Sequence, residues 1–512
     1  MLDVNDVQPS PAVAQTGGRT HPVPGTATPP GTAEIESPPR NERDEASNTF
    51  VVFAFLWVVA TFFHQATYNQ WVTSPKGAAV LAAAVFFLLR PVSVGRFALF
   101  LALDAYHVAS LTPYTPNHIL LTALINVTIL AAMAWSYVRA GRRPVSGGEV
   151  LEAFAPAVRI ELLMLYFFAV LHKLNVDYFN PDVSCTADLL TTMTYRYPFL
   201  PVWDWMRPIA IVGALIIEAA IPILLFVRGT RAYGIVLGMA FHLFLSLHPE
   251  VGLYSFSAML LPLFFLFAPA GSAGALRRSL REPFRRLGMP PLLVNVLLAA
   301  LLSLPALAAL LSRRGPFAGH PLLQPYLCGL FVWLAYALPV MFLFLRTVLS
   351  RRTREAGYRQ LFRPAFAPIL VLPALMFLNG MSPYLGYKTE TSFSMFSNLR
   401  TEGERSNHLF VPQSLKMAGF QDDLVRIVRS SDPYLRGLAD QKLLLPYFEL
   451  RRRASNSPPD FSVEYVRGGR RVVATKNDPG AGGDLFTPYP WLLTKLLQFR
   501  PVDLEGPQKC RH

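Results

Sequence analysis

Apolar runs long enough to enter a bilayer recur along this chain, and they leave few folds open to it. Eleven can be placed, near 50–66, 77–90, 95–112, 117–138, 153–172, 208–227, 232–248, 251–268, 291–311, 325–347 and 365–381. A helix rises 1.5 Å per residue, so it needs about 20 apolar residues to cross a hydrocarbon core roughly 30 Å thick, where no water satisfies a broken backbone. The run 77–90 is short. The dipeptide His248-Pro249 interrupts 232–268, which reads either as two crossings or as one re-entrant turn. In a chain of 512 residues, 52% hydrophobic and 16% charged, these runs predict an all-α polytopic membrane helix bundle of about 9–11 transmembrane helices.

The net charge of +14 would raise nucleic-acid binding in a soluble protein. Here the arginines sit in short loops between apolar runs, so the charge reads as topology and no nucleic-acid partner is expected. On the eleven-span reading, one set of alternate loops carries eighteen Lys and Arg, from Arg90 and Arg96 through Arg277–Arg286 to Arg363, and the opposite set carries five. Cytoplasmic loops hold the excess. Residues 1–48 are therefore expected in the cytoplasm and 382–512 outside, with Lys173 and the loop 174–207 at the outer face. Residues 1–48 are rich in Pro, Thr, Gly and acids with no basic stretch ahead of an apolar one, which predicts a disordered tail and not a signal peptide. Abundant Ala, Leu, Arg and Pro point to a high-GC bacterial source, hence an inner or plasma membrane. Three cysteines are too few for a disulfide framework or a zinc site; a single bridge between Cys185 and Cys510 stays open.

Residues 49–381 read as the membrane domain and 382–512 as a small mixed α/β or β-containing extracytoplasmic region. Phe461–Thr475 alternates apolar and polar residues about Gly468-Gly469, which predicts a β-hairpin. Tyr384–His408 is dense in Ser, Thr, Asn and charge yet carries Phe and Met, as a loop packed on the membrane domain would.

The residues that carry chemistry are the costly ones. A cation at membrane depth costs roughly 2.5–3.5 kcal/mol at a helix centre and less near the ends. Lys173 closes the run 153–172, and with His172, Asn175 and Asp177 it forms a polar cluster. A lysine at a span end can snorkel to the headgroups, while a buried, neutral amine can accept a proton. Asp177 is expected to stop the helix and begin the loop through Asn180-Pro181. His242 and Ser246 are four residues apart and share a helix face, whereas His248 lies nearer the opposite side. His118 opens the run 117–138. Glu218 reads as the only acid well inside a span in this half of the molecule and must be paired, protonated or facing a cavity, with Lys173 or a histidine as partner. The chain has no Gly-rich phosphate loop, no His-Glu-x-x-His, no Cys-x-x-Cys and no Gly-x-Ser-x-Gly elbow, which counts against phosphoryl transfer, zinc hydrolysis and serine esterase chemistry. No metal site is expected.

The stretch YFFAVLHKLNVDYFNPDVSC, Tyr166–Cys185, resembles a membrane segment of the vitamin K-dependent gamma-carboxylases and of the bacterial HTTM proteins related to them. In that family the lysine of the Lys-Leu pair is the catalytic base, which implies that role for Lys173. The run GMAFHLFLSLHPEVGLYSFSAML resembles the helix that contributes an active-site histidine, implying His242, and Asn117-His118 resembles the pair opening another helix, implying His118. His172, Asn175, Asp177, Glu218 and Ser246 are the expected supporting or substrate-binding residues. The resemblance spans roughly 50–270 and implies a quinol such as vitamin K hydroquinone as co-substrate, deprotonated and then reacting with oxygen to give a base strong enough to carboxylate a peptide glutamate. Two departures bear on this. Lys-Leu-Asp-Ala-Asp-Trp of the animal enzymes reads here Lys-Leu-Asn-Val-Asp-Tyr, and the polar C-terminal part is much shorter. Chemistry on a quinol-like or other lipophilic substrate is accordingly the firmer implication and a peptide substrate the weaker. The reading of a different class is a non-catalytic membrane protein that binds lipid or acts as an export or partner-binding component.

Overall fold

The computed structural model describes residues 40–68, 72–199, 201–248, 252–311, 325–351, 361–478 and 482–510. Each of the eleven expected runs carries a helix. In chain order these are α1 (Arg40–Thr67), α2 (Pro75–Leu88), α3 (Val94–Leu111), α4 (Asn117–Ala140) and α5 (Gly147–Lys173), then, after the short α6 (Cys185–Arg196), α7 (Met206–Phe226), α8 (Arg231–Ser246) and α9 (Tyr254–Phe265). The amphipathic α10 (Ser272–Arg286) precedes α11 (Pro291–Leu311), α12 (Pro325–Arg351) and α13 (Val371–Leu385). Among the described residues eight helices are long and apolar enough to cross a membrane: α1, α3, α4, α5, α7, α11, α12 and the stretch Ala367–Leu385 that contains α13.

The three other helices on apolar runs are shorter. The 12 residues of α9 rise only about 18 Å, well under a bilayer core. Every side chain of α9 is buried, so protein encloses it, and the 232–268 run becomes two packed helices, α8 and α9. Of the break between them, His248 is described and Pro249 lies outside the described residues. The expected tail 1–48 also lies largely outside them. Its last residues, however, are the first turns of α1, where Arg277 of α10 donates to Asn48 Oδ1 at 2.8 Å and the Thr49 hydroxyl to Glu45 O at 2.8 Å.

Central to the site is α5. Its start is a capping box: Ser146 Oγ accepts from the Glu149 amide, and Glu149 Oε2 accepts from the Ser146 amide at 3.0 Å. Its face toward the bundle is buried along nearly its whole length, from Val150 to Lys173, against α4, α7, α9 and α13. The helix ends at Lys173, ahead of Asp177, the residue expected to stop it: Asn175 Nδ2 donates to the His172 carbonyl at 2.8 Å and to Ser397 O at 2.6 Å, capping α5 and tying it to the C-terminal region.

After α13 the chain folds into a four-stranded antiparallel sheet, in the order β2-β1-β3-β4, built from β1 (Leu424–Ser430), β2 (Leu444–Pro446), β3 (Ser462–Arg467) and β4 (Arg470–Thr475). The turn between β3 and β4 is Gly468-Gly469, both with positive φ, as a two-residue hairpin turn requires. Helices α14 (Pro433–Asp440) and α15 (Tyr447–Ser455) cover this sheet over a core of Val425, Ile427, Leu435, Tyr447, Val463 and Tyr465, and α16 (Trp491–Leu496) follows. A disulfide joins Cys185 at the start of α6 to Cys510. Asn398 sits beside it, accepting from the Cys185 amide at 2.8 Å and donating to Gln508 O at 2.9 Å. The segment expected to pack as a loop does so: Thr389, Ser392, Phe393, Ser394, Ser397 and Asn398 are buried, and the Phe393 amide donates to Asn117 Oδ1 at the start of α4, at 2.7 Å.

Candidate functional site

Five helices and two loops enclose a cavity of about 310 Å³. From α5 come Leu165, Tyr166, Ala169 and Lys173; from α7, Ala210, Gly213, Ala214, Ile217 and Glu218; from α8, Phe241, His242, Phe244 and Leu245, then His248 just past its end. The spacings of three, four and seven are those of single helix faces. Leu189, Leu190 and Met193 of α6, Phe256 of α9, and Met395 and Phe396 of the C-terminal region complete the wall.

The cavity's two charged groups are paired. Lys173 Nζ lies 2.5 Å from Glu218 Oε2, with the two side chains 5% and 14% exposed. The snorkelling alternative is therefore not what this lysine does: it turns inward, to an acid 45 residues away. On the same wall the Tyr166 hydroxyl hydrogen-bonds His242 Nε2 at 2.7 Å, the His242 ring stands edge-on to Phe256 at 5.1 Å, and His242 Nδ1 has no hydrogen-bond partner among the described residues. Lys173 and His242 thus share one cavity. Tyr166 lies seven residues before Lys173 on the same helix face; that spacing was visible in the sequence and marks the site residue that the sequence reading passed over.

The other expected residues divide. His172 points away from the cavity, its Nε2 3.1 Å from Gly380 O of α13, because adjacent helical residues are about 100° apart. Asn175 and Asp177 face the C-terminal region: Asp177 Oδ2 accepts from Asn407 Nδ2 at 2.7 Å and from the Gln508 amide at 3.1 Å. Ser246 accepts from Trp333 Nε1 of α12 at 3.0 Å and is not part of the cavity wall. His248, expected nearer the opposite side from His242, lines the cavity with it. The end of α8 tightens, with Leu247 N bonded to Phe244 O and His248 N to Leu245 O, and three-residue spacing turns each residue further than an α-helix does.

His118 occupies a separate cluster, its Nε2 3.0 Å from Ser255 Oγ and its ring 5.9 Å from that of His64. Phe256 stands between the two sites, 5.7 Å from His118 on one side and in contact with His242 on the other. Glu218 is also not alone among intramembrane acids in this half. Asp104 of α3 accepts from Asn126 Nδ2 at 2.8 Å, and Asn126 Oδ1 in turn from Trp57 Nε1 at 2.8 Å. Glu161 of α5 accepts from the Thr128 hydroxyl at 2.6 Å. Both acids are buried, held by neutral donors of α4, and neither lines the cavity. Among the described residues no group of three or more His, Cys, Asp or Glu side chains is gathered for a metal.

Residues 41–269 match the family model described as HTTM domain. No curated protein and no solved structure matches the chain.

Proposed function

We propose, with the match to the HTTM domain as premise, that the cavity is an intramembrane active site that takes the proton from a hydroxyl of a quinol-like or other lipophilic substrate. The observation that carries this is the Lys173–Glu218 pair in an otherwise mostly apolar wall. Desolvating two charges costs several kcal/mol per ion, roughly what their attraction returns, so such a pair is a poor device for stability. It is a good device for chemistry. The O–H bond of a substrate breaks, its proton passes to the pair, and the oxyanion left behind faces an ammonium in a site that excludes bulk water. The resemblance gives the base role to Lys173; the pairing adds Glu218 as the group that exchanges the proton with it. Tyr166 and His242 supply a second polar edge that orients a ring-sized head. Asn175, which stands where the carboxylases have their first acid, is engaged in holding the C-terminal loop, so the proposal is confined to the lipophilic substrate.

The orientation we propose puts the N-terminus in the cytoplasm and residues 382–510 outside. The eighteen-to-five asymmetry of Lys and Arg supports it, as does the Cys185–Cys510 disulfide, a bond that persists in oxidising compartments.

Lys173→Arg tests the chemistry. The guanidinium keeps the charge and pairs with Glu218, but it stays protonated at working pH. With oxygen supplied as the oxidant of the deprotonated quinol, consumption of vitamin K hydroquinone above that in protein-free nanodiscs, followed by chromatography, should be abolished while the fold survives. Full turnover in Lys173→Arg refutes the proton-transfer reading, and binding without turnover in the unaltered protein favours a non-catalytic lipid-binding component.

A further inference from the structure

The helix α10 lies at the end of the bundle where α1 begins, and it carries five arginines against a single acid, Glu282. At about 100° per residue its side chains divide into two faces. Ala273, Leu276, Leu280, Phe284 and Leu287 fall on one; Arg277, Arg278, Arg281 and Arg285 fall on the other. The apolar face starts inside the protein and leaves it. Ala273 and Leu276 are buried, Leu280 is half-buried, Phe284 is 38% exposed and Leu287 74% exposed. On the basic face Arg277 donates to Asn48 of α1, and Arg285, with Arg286, pairs with Glu282 at the surface. Among the described residues no ion pair holds Arg278 or Arg281, and both are exposed.

The far end of α10 is a built turn. Gly288 has a φ of +68°, its amide donates to Arg285 O at 3.0 Å, and the Met289 amide donates to Phe284 O at 3.0 Å. These two crossed bonds close a helix on a left-handed residue. Pro290 follows, and Pro291 opens α11, which is long and apolar enough to cross the membrane. Leu287 is four residues before that opening, hence within about 15 Å of it. On the first turns of α11, Leu292, Leu293 and Val296 are exposed as well. Exposed apolar surface therefore runs on from α10 into a spanning helix, and the arginines border it.

We propose that α10 is a binding surface for anionic phospholipid: its distal half lies in the headgroup layer at this end of the bundle, Phe284 and Leu287 reach the acyl chains, and Arg278, Arg281 and Arg285 bind headgroup phosphates. A helix with one apolar and one basic face rests in the interface in this way. A guanidinium matches a phosphate with two parallel hydrogen bonds and keeps its charge. A zwitterionic lipid offers the same phosphate with a cation attached, so a surface with this excess of positive charge selects lipids of net negative charge. The surface uses neither the chemistry nor the side of the membrane proposed above.

Retained lipid tests the surface. The full chain is held in micelles doped with equal amounts of phosphatidylglycerol and phosphatidylcholine, and the lipids that stay bound are counted by native mass spectrometry. Phosphatidylglycerol should be retained over phosphatidylcholine by about threefold or more. Replacing Arg278, Arg281 and Arg285 together by Gln should bring the two to parity. The control removes as many charges from the loop between α4 and α5, by Arg139→Gln, Arg142→Gln and Arg143→Gln; that loop lies at the same end, where Gly147 meets Phe50 of α1. The control should keep the preference. No preference in the unaltered protein, a preference that survives the α10 substitutions, or an equal loss in the control overturns the site. A nitroxide on Leu287→Cys, in a Cys328→Ser background, reads the apolar stripe without touching an arginine. In nanodiscs it should be reached by oxygen more than by a water-soluble nickel chelate, as a side chain among acyl chains is. The reverse order puts the stripe in water, leaves the arginines to a soluble polyanion, and overturns the proposal.

Discussion

Breaking the Lys173–Glu218 pair one partner at a time should cost far more than removing both. At 2.5 Å between Nζ and Oε2, the attraction at an effective dielectric near 20 is on the order of 6–7 kcal/mol, against a desolvation cost of several kcal/mol for each ion. The pair as a whole is close to neutral for stability. Either partner left alone retains its desolvation cost with nothing to offset it, so Lys173→Met and Glu218→Gln should each destabilise by about 3–5 kcal/mol. The double variant has no charge to desolvate and loses only a hydrogen bond and some packing. It should be destabilised by only about 1–2 kcal/mol, less than either single and about 4 kcal/mol or more short of their sum. Thermal unfolding in nanodiscs, followed by tryptophan fluorescence, gives the order of midpoints: unaltered protein highest, double variant next, both singles below it. If the effects add, with the double variant lowest, the two side chains are not coupled, and the site built on them is wrong.

Three further outcomes are expected. Gly380→Ala places a Cβ 2.3 Å from the buried Phe168 ring, so it should destabilise by about 1–3 kcal/mol, whereas Gly213→Ala, with open space around it, should leave the unfolding midpoint unchanged or raised; equal shifts would contradict the packing described. Glu449 is pushed from the ordinary 4.5 up to about 7, chiefly by burial, which outweighs the Arg452 guanidinium and the Phe499 amide beside it. A carboxyl raised in the folded state binds its proton more tightly there than in the unfolded chain. It therefore contributes stability that is complete below about pH 4.5 and is lost as pH rises toward 7, on the order of 3 kcal/mol in full. Hydrogen-exchange protection in β1 and α15, taken relative to the intrinsic rate at each pH, should fall over that window, and Glu449→Gln should flatten the change; a fall in protection that survives the substitution assigns it to another group. For topology, a membrane-impermeant maleimide should label Ser455→Cys and not Glu45→Cys in intact cells, and the opposite pattern would invert the orientation.

Much of this molecule is written locally. Hydropathy alone located the eleven helical runs, because a backbone in hydrocarbon must satisfy its own hydrogen bonds and a helix does so within one segment. Gly468-Gly469 placed the hairpin, since few other residues adopt two positive φ angles in succession. Lys173, His242 and Glu218 stood out because polar groups are expensive in an apolar run. What each of them faces was settled only by the fold. Hydropathy allowed Lys173 either a headgroup or a partner, and the packing of α5 on α7 chose Glu218. Asp104 and Glu161 lie in apolar runs as Glu218 does and were as legible in the sequence; what only the fold shows is that their partners, Asn126 and Thr128, are neutral residues of α4. His118 has the same residue type as His242 and a similar family likeness, yet Phe256 stands between the two sites. The bridge from Cys185 to Cys510 closes across 325 residues, a separation over which spacing carries no information. Local periodicity fixes which face of a helix a side chain occupies; which neighbour meets that face depends on how the helices pack, and at this site packing decided the pairing of every charge.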